Sequence, residues 1–124
     1  MSEDRRSIGQ RLLKDVCGFE VPSGMGRFSD MTIEHLFGEV WSNEKLSIRD
    51  RRLVVLGILG ALGDGDNLGI HMSQALQRGD LTAEEIDEVV IQITHYAGWP
   101  RGTVALGAAG KAAQAHQKTR HTGG

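Results

Sequence analysis

Apolar residues recur three and four positions apart along most of the chain, which is the spacing of one face of an α-helix. Alternation of the kind typical of a β-strand does not run for a useful length. The expected helices cover about residues 3–16, 29–41, 47–62, 67–77, 82–97 and 100–116. The pattern therefore predicts an all-α protein of about six helices, in one domain over residues 1–124.

The inward-facing positions follow from the same spacing. Thr82 and Glu85 form a capping box, in which each side chain satisfies a main-chain amide of the other, so the fifth helix is expected to begin there. The alanines of the last helix allow another helix to come close, within the subunit or between subunits. The expected inward positions are Ile8, Leu12, Leu13, Val16, Ile33, Leu36, Phe37, Val40, Leu68, His71, Met72, Ala75, Leu76, Ile86, Val89, Val90, Ile93 and Ala97.

The stretch 46–71 differs from the others because its first helix is apolar on every side between Leu53 and Leu62. This pattern is typical of a helix that is buried all round. The sequence GDGDN then ends the helix, and the next helix carries His71. A buried helix led by an arginine, a polar break and an inward histidine together predict the wall and floor of a small-molecule pocket.

Composition and charge narrow the classes of protein that fit. A net charge of −2 gives no electrostatic reason to expect nucleic acid or an anionic membrane as a partner. The single cysteine, Cys17, excludes an internal disulfide and a CxxC pair. The longest apolar run is far short of the roughly 20 residues that span a bilayer, and the first ten residues lack the apolar core of a secretory signal. We therefore expect a soluble, cytoplasmic protein.

Five polar residues lie beside the apolar stripes and are the first candidates for chemistry: Glu39, Arg51, His71, Gln92 and His95. Each also has a structural interpretation. A histidine on an apolar face is often a hydrogen-bonded core residue, and a buried glutamate and arginine often form a structural ion pair. Trp41 and Trp99 fit a core or an interface as well as a substrate pocket. A metal site is not expected, because the two histidines lack a ligand spacing and no cysteine lies near them.

Five motifs follow one another along the chain: FGEVWS (37–42), RDRRL (49–53), LGALGDGDNLGIH (59–71), TAEEIDEVVIQ (82–92) and HYAGWP (95–100). Taken together in this order, they resemble the carboxymuconolactone decarboxylase family. The resemblance covers about residues 10–116, and it implies the AhpD-like all-α fold and assembly into homotrimers or homohexamers.

The family has two chemical branches. In the thiol branch, two cysteines upstream of the histidine reduce peroxides, but this chain has Asp64 and Asn67 at those positions. Arg52 stands where that branch keeps a relay glutamate. Disulfide chemistry needs two sulfurs, so this chain cannot use the usual mechanism of the thiol branch, and we exclude that branch on this ground. The GEVWS motif, Arg51 and His71 resemble the other branch, which decarboxylates 4-carboxymuconolactone in aromatic catabolism.

One difference from that branch concerns the fifth helix. Its members tend to have a histidine at the position of Gln92 and an apolar residue at the position of His95. Residues three positions apart on a helix stay near the same face. His95 can therefore serve in place of the missing histidine, or the pocket is remodelled for another substrate.

The resemblance implies a decarboxylase that acts on a small anionic lactone or carboxylic acid. Loss of carbon dioxide pushes electrons onto the conjugated lactone carbonyl, so the substrate carries its own electron sink and no cofactor is expected. The implied catalytic residues are His71 as proton donor, because imidazole titrates near neutral pH, Glu39 to orient or recharge it, and His95 as a second donor. The implied substrate-binding residues are Arg51, for a carboxylate or the oxyanion, with Gln92, Trp41 and Trp99.

Other functions remain open at this point. The chain fits a related enzyme that acts on a different small acid or lactone. It also fits an oligomeric binding protein that keeps the fold without the chemistry, and more remotely a peroxidase without cofactor. The residues leave open which histidine donates the proton and whether the pocket lies within or between subunits.

Overall fold

The structure is a computed structural model that describes residues 4–22 and 24–123, with side chains described up to residue 119. The expected helix start at Glu3 lies outside the described residues. The chain divides into two compact units, one reaching to Ile48 and the other starting at Arg49. The expectation of a single domain stays a prediction, and each unit is described by itself.

The first unit contains helix α1 (Arg5–Cys17) and helix α2 (Arg27–Met31), which continues directly into a π-helical segment (Thr32–Trp41). Asp4 caps α1, because its carboxylate accepts a hydrogen bond from the main-chain amide of Ser7. Gly18 ends α1 with a φ of 86°, a left-handed conformation that glycine adopts without steric cost. The two ends of α1 are thus fixed by short-range signals in the sequence.

The π-helical segment changes which residues of this stretch are buried. Its buried positions are Ile33, Phe37, Gly38 and Trp41, which recur at intervals of four, one and three. The prediction that Leu36 and Val40 face inward is wrong, since both are more than a third exposed. The reason is geometric, because a π-helix has more residues in each turn than an α-helix and an inward face drawn at α-helical spacing drifts off it.

Two glycines let the backbones of α1 and the π-helical segment come into direct contact. A Cβ atom on Gly9 would overlap the main-chain oxygen of Ile33, and one on Gly38 would overlap the main-chain oxygen of Arg5. Leu12, Leu13 and Val16 of α1 are buried as predicted, and Ile8 is half-buried. Close backbone packing and a small apolar core therefore hold this unit together.

The second unit contains α3 (Ile48–Leu62, which starts on the last residue of the first unit), α4 (Gly65–Arg78), α5 (Ala83–Ala97) and α6 (Trp99–Gly123). The capping box of Thr82 and Glu85 is confirmed, with both of its hydrogen bonds present. α6 extends beyond the expected end at residue 116. The core of this unit consists of Leu56, Leu68, Met72, Ala75, Leu81, Ile86, Val90, Ile93, Ala105, Ala108, Ala109 and Ala112.

Helix α3 is not buried all round, which corrects the prediction from its composition. Val54, Ile58 and Leu62 are 55%, 55% and 66% exposed, and they follow one another at intervals of four on one face. The buried residues, Arg52, Leu56 and Gly60, lie on another face with the same spacing. A Cβ on Gly60 would overlap the side chain of Ile93, so this glycine allows α3 to approach α5.

The all-α prediction is confirmed, since the described residues form six helices, with α2 and its π-helical continuation taken as one, and no strand. Within this described part of the chain, no helix has both the length and the apolar composition that crossing a membrane requires.

Candidate functional site

The site begins at the polar break between α3 and α4, where Asp64 caps the start of α4 by contacting Asn67. One carboxylate oxygen of Asp64 accepts from the main-chain amide of Asn67 (3.1 Å), and the other accepts from its side-chain amide (2.7 Å). These bonds, the side-chain bond foremost, lower the pKa of Asp64. The two positions that carry cysteines in the thiol branch are therefore occupied here by a cap that begins α4.

A fully buried arginine, Arg52, reaches from α3 to an aspartate beyond the end of α4. Its Nη2 and Nε donate to the Oδ2 of Asp80, at 3.2 and 3.4 Å. Asp80 is itself largely buried, and the same oxygen accepts from the Nε of Arg78 at 3.1 Å. The carboxylate therefore compensates the buried guanidinium, as a charge without contact to water requires.

The remaining arm of the same guanidinium contacts the histidine of α4. The Nη1 of Arg52 lies 3.2 Å from the Nδ1 of His71 and 3.3 Å from its main-chain oxygen. A guanidinium has only donors, so the Nδ1 of His71 must accept this hydrogen bond. The proton of the neutral imidazole then lies on Nε2. The contact thus fixes the tautomer of His71 as well as the position of its ring.

The environment of His71 keeps its ring uncharged. Burial, and secondly the positive charge of Arg52, lower the pKa of His71 from 6.5 to about 4. At neutral pH only roughly one molecule in a thousand then carries the imidazolium. His71 was expected to titrate near neutral pH, and in this structure its pKa lies well below that range. A neutral ring offers a hydrogen bond from Nε2 instead.

Arg51 was the arginine expected at the site, and its neighbour Arg52 is the one that contacts His71. Arg52 shares the buried face of α3 with Leu56, whereas Arg51 is half-buried on the face of Val55. The spacing of apolar residues shows which face of a helix is buried only when the opposite face is polar. Since α3 is apolar on every side, the sequence pattern gave no reason to prefer Arg52. The substrate-binding role of Arg51 stays a prediction.

Asp80 was also missed by the sequence analysis. It follows the glycine that ends α4, and this position usually belongs to a solvent-exposed turn. One available signal was that an arginine on a buried face requires a carboxylate partner.

Glu39 lies in the first unit, in the π-helical segment, with its side chain 41% exposed. It accepts hydrogen bonds from the Nη1 of Arg5 and from the Nδ1 of His35, the second at 3.4 Å. The bond from Arg5, and then the one from His35, lower the pKa of Glu39. A carboxylate held in this way is ionised at neutral pH. Its role in orienting His71 stays a prediction.

The candidates on α5 and α6 line two separate cavities of the second unit. Gln92 lines a cavity of about 260 Å³ between α3 and α5, with Ala61, Ile93 and Tyr96 among its other residues. His95 and Trp99 line a cavity of about 230 Å³ between α5 and α6. His71 is in the lining of neither cavity. The contacts of the second unit thus bring His71 together with Arg52 and Asp80, and they place Gln92 and His95 at different openings.

His95 is held by its own helix and by the start of the next one. Its Nδ1 lies 2.8 Å from the main-chain oxygen of Ile91, which can only accept, so Nδ1 carries a proton. The ring packs edge-on against Trp99, with centroids 5.4 Å apart. The Nε2 of His95 is therefore the nitrogen that remains for proton transfer.

Trp41 belongs to the core of the first unit. It is stacked on Phe37 with ring centroids 5.8 Å apart, and it borders a cavity of about 530 Å³ together with Arg11, Ser42 and Glu44. Its expected contact with substrate stays a prediction. Among the residues that the structure describes, no three side chains of histidine, cysteine, aspartate or glutamate lie close enough together to hold a metal ion.

Similarity to known proteins defines the class. The sequence model of the carboxymuconolactone decarboxylase family matches residues 27–111. The 4-carboxymuconolactone decarboxylase of Acinetobacter baylyi is 33% identical over 79 residues, which make up 64% of this chain and 58% of that protein. The alignment thus spans less than two thirds of that relative. Because the family match covers more than half of the chain, the chain belongs to the carboxymuconolactone decarboxylase family.

Proposed function

We propose that this protein is a cofactor-independent decarboxylase of a small lactone acid of the 4-carboxymuconolactone type, in aromatic catabolism. Membership of the family and the decarboxylase name of its relative support this reaction class. The observation that carries the proposal in the structure is the contact between buried Arg52 and neutral His71. The N–H of the neutral His71 ring, next to the fixed positive charge of Arg52, can stabilise a negative charge that develops during the reaction.

In the proposed reaction the carbon–carboxylate bond breaks, and its electron pair moves through the conjugated double bond onto the lactone carbonyl oxygen. The Nε2–H of His71 donates a hydrogen bond to this oxygen as its negative charge develops. The charge of Arg52, on the opposite side of the ring, polarises that N–H. We therefore assign His71 to the stabilisation of the dienolate, and we assign delivery of the proton that carbon takes up to another group.

A second group must deliver that proton to carbon before the product leaves. We assign this step to the imidazolium form of His95, which keeps its Nδ1–H bond to Ile91, transfers its Nε2 proton to carbon and takes up a new proton from water. His71 does not line the cavity of His95 within one chain, so we place this step in the assembled homo-oligomer. Binding of the substrate carboxylate by Arg51, further substrate contacts from Gln92, Trp41 and Trp99, and an orienting role for Glu39 are carried into this proposal as predictions from the sequence. The expected homotrimer or homohexamer, and a cytoplasmic location, belong to the same proposal.

The test measures carbon dioxide release from 4-carboxymuconolactone and from a panel of related lactone acids and carboxylic acids. We expect release from at least one lactone acid, and turnover by His71→Ala roughly 100-fold lower or more, since a donor to the oxyanion is lost. His71→Gln keeps an N–H donor and is expected to lose less. His116→Gln, a change at a half-buried histidine of α6, serves as the matched control with unchanged turnover.

Two outcomes would contradict the proposal. Turnover equal to that of the wild type in both His71 variants would remove His71 from the reaction. Failure of the folded, assembled protein to release carbon dioxide from any of these acids would overturn the decarboxylase, and would favour a binding protein of the same fold.

A further inference from the structure

We propose that Asp80, in the turn between α4 and α5, is a positioning residue that sets the tautomer of His71 through Arg52. The inference deepens the proposed function, on which only its kinetic part rests. Asp80 has no role in the reaction as described so far, and none of its contacts reaches His71 directly.

Arg52 divides its donors between Asp80 and His71. Nε and Nη2 are directed at one oxygen of Asp80, and Nη1 is directed at the ring and the main chain of His71. The guanidinium is planar and rigid, so the direction of one edge determines the direction of the other. Because Asp80 holds the Nε and Nη2 of Arg52, the Nη1 of Arg52 is directed at the Nδ1 of His71.

The aim of Nη1 matters because the two tautomers of a neutral imidazole are set by hydrogen bonds to the ring nitrogens. With Nη1 in place, Nδ1 accepts and Nε2 carries the proton. A guanidinium released from Asp80 is a buried cation without its carboxylate, and it reorients toward other acceptors or water. Nδ1 then takes the proton in part of the molecules, and Nε2 no longer donates in them.

A second cation on the same carboxylate offers an internal control. Arg78 contacts the Oδ2 atom that Arg52 uses, but its side chain is only partly buried and belongs to the end of α4. Removing Arg78 disturbs the same turn and the same oxygen while leaving the bonds from Arg52 to Asp80 and His71. A role specific to the path from Asp80 through Arg52 therefore predicts different results for the two substitutions.

The experiment reads the tautomer of His71 directly, from the ¹⁵N signals of the two ring nitrogens in long-range proton–nitrogen spectra of the full chain at neutral pH. In the wild type we expect an unprotonated Nδ1 and a protonated Nε2. In Asp80→Ala we expect signals that report a mixture with the Nδ1–H tautomer. In Arg78→Ala we expect the wild-type pattern.

Asp80→Asn covers the case in which Asp80→Ala fails to fold. The amide keeps the shape of the side chain and one accepting oxygen, so we expect a smaller share of the Nδ1–H tautomer, still above that of the wild type. Three results would overturn the proposal: a wild-type His71 that carries its proton on Nδ1, an unchanged tautomer in the folded Asp80 variant, or an equal change in Arg78→Ala.

The kinetic part compares turnover with substrate affinity. For the folded Asp80 variant we expect kcat to fall roughly 10-fold to 100-fold with little change in KM, because a misdirected donor affects the transition state more than the bound substrate. A rise in KM at unchanged kcat would contradict positioning of the reacting group. If the wild type decarboxylates no acid, the proposed function fails, whereas the tautomer measurement still decides the role of Asp80.

Discussion

The chain holds two triplets built from the same residue types, an arginine, a carboxylate and a histidine. The buried triplet is Arg52, Asp80 and His71 in the second unit, and the exposed triplet is Arg5, Glu39 and His35 in the first. Their order differs as well. Arg52 stands between the other two members of its triplet, whereas Glu39 stands between Arg5 and His35.

The difference in burial decides what each triplet does. The Arg52 side chain has no exposure and that of Asp80 has 13%, while those of the exposed triplet have 41% to 63%. Water and salt screen an exposed ion pair, so it adds little to stability. Burial itself lowers the pKa of His71, the unscreened charge of Arg52 lowers it further, and Arg52 becomes costly to leave unpaired. The same three residue types therefore form a surface contact in one unit and a preorganised site in the other.

The largest expected effect comes from removing one arginine from each triplet. Arg52→Met removes the buried partner of Asp80 and leaves its contact with the partly buried Arg78, and we expect the free energy of unfolding to fall by about 3–5 kcal/mol. Arg5→Met removes an exposed partner of Glu39, and we expect no measurable loss. Urea unfolding followed by circular dichroism gives both values. Equal losses in the two variants would show that burial does not separate the triplets.

The pH dependence of stability distinguishes the histidine of the buried triplet. His71 has a pKa of about 4 in the folded chain and about 6.5 in the unfolded chain, so the unfolded chain binds more protons between these values. The free energy of unfolding is therefore expected to fall by up to about 3 kcal/mol as the pH falls from about 6.5 to about 4. Above pH 6.5 this contribution is fully present.

His71→Gln provides the control for this pH dependence. Its unfolding free energy should change less between pH 6.5 and 4, because glutamine does not titrate. The pKa of Glu39 is lowered from 4.5. Any contribution of the exposed triplet to stability is therefore lost at a lower pH than that of His71, as the pH falls below 4.5. A variant with the same slope as the wild type would contradict the neutral, buried state of His71.

The third prediction concerns the backbone contact between α1 and the π-helical segment, which stabilises the first unit. Gly9→Ala places a Cβ against the main-chain oxygen of Ile33, and we expect a loss of about 1–3 kcal/mol in unfolding free energy. Gly107→Ala in α6 adds a Cβ in open space, and it should raise stability by up to about 1 kcal/mol through helix propensity. Thermal unfolding of the two variants measures both changes. A tolerated alanine at position 9 would contradict the backbone contact.

The smallest expected change in stability comes from Glu39→Gln, since the exposed carboxylate loses only screened contacts. We expect an unfolding free energy within the error of the measurement. Turnover of the same variant then tests the predicted catalytic role, because a drop in kcat without a loss of stability identifies a functional carboxylate. Turnover equal to that of the wild type would leave Glu39 as a surface partner of Arg5.

Local signals in the sequence predicted the helices well. The capping box at Thr82, the glycines at 18 and 79, and the inward stripe of α4 through Leu68, Met72 and Ala75 are all confirmed. Each depends on residues within a few positions of one another, so the sequence carries it without knowledge of the fold. The π-helical segment was missed, because its inward face was drawn at the spacing of an α-helix.

The sequence by itself determined the helical class, the family and the identity of His71 as an inward histidine. Only the tertiary structure decided which of two adjacent arginines reaches that histidine, because α3 is apolar around its whole circumference. It also decided that an aspartate from a turn completes the contact, since Arg52 and Asp80 are 28 positions apart and only folding brings them together. A buried charge finds its partner in space, and sequence spacing along one helix cannot name that partner.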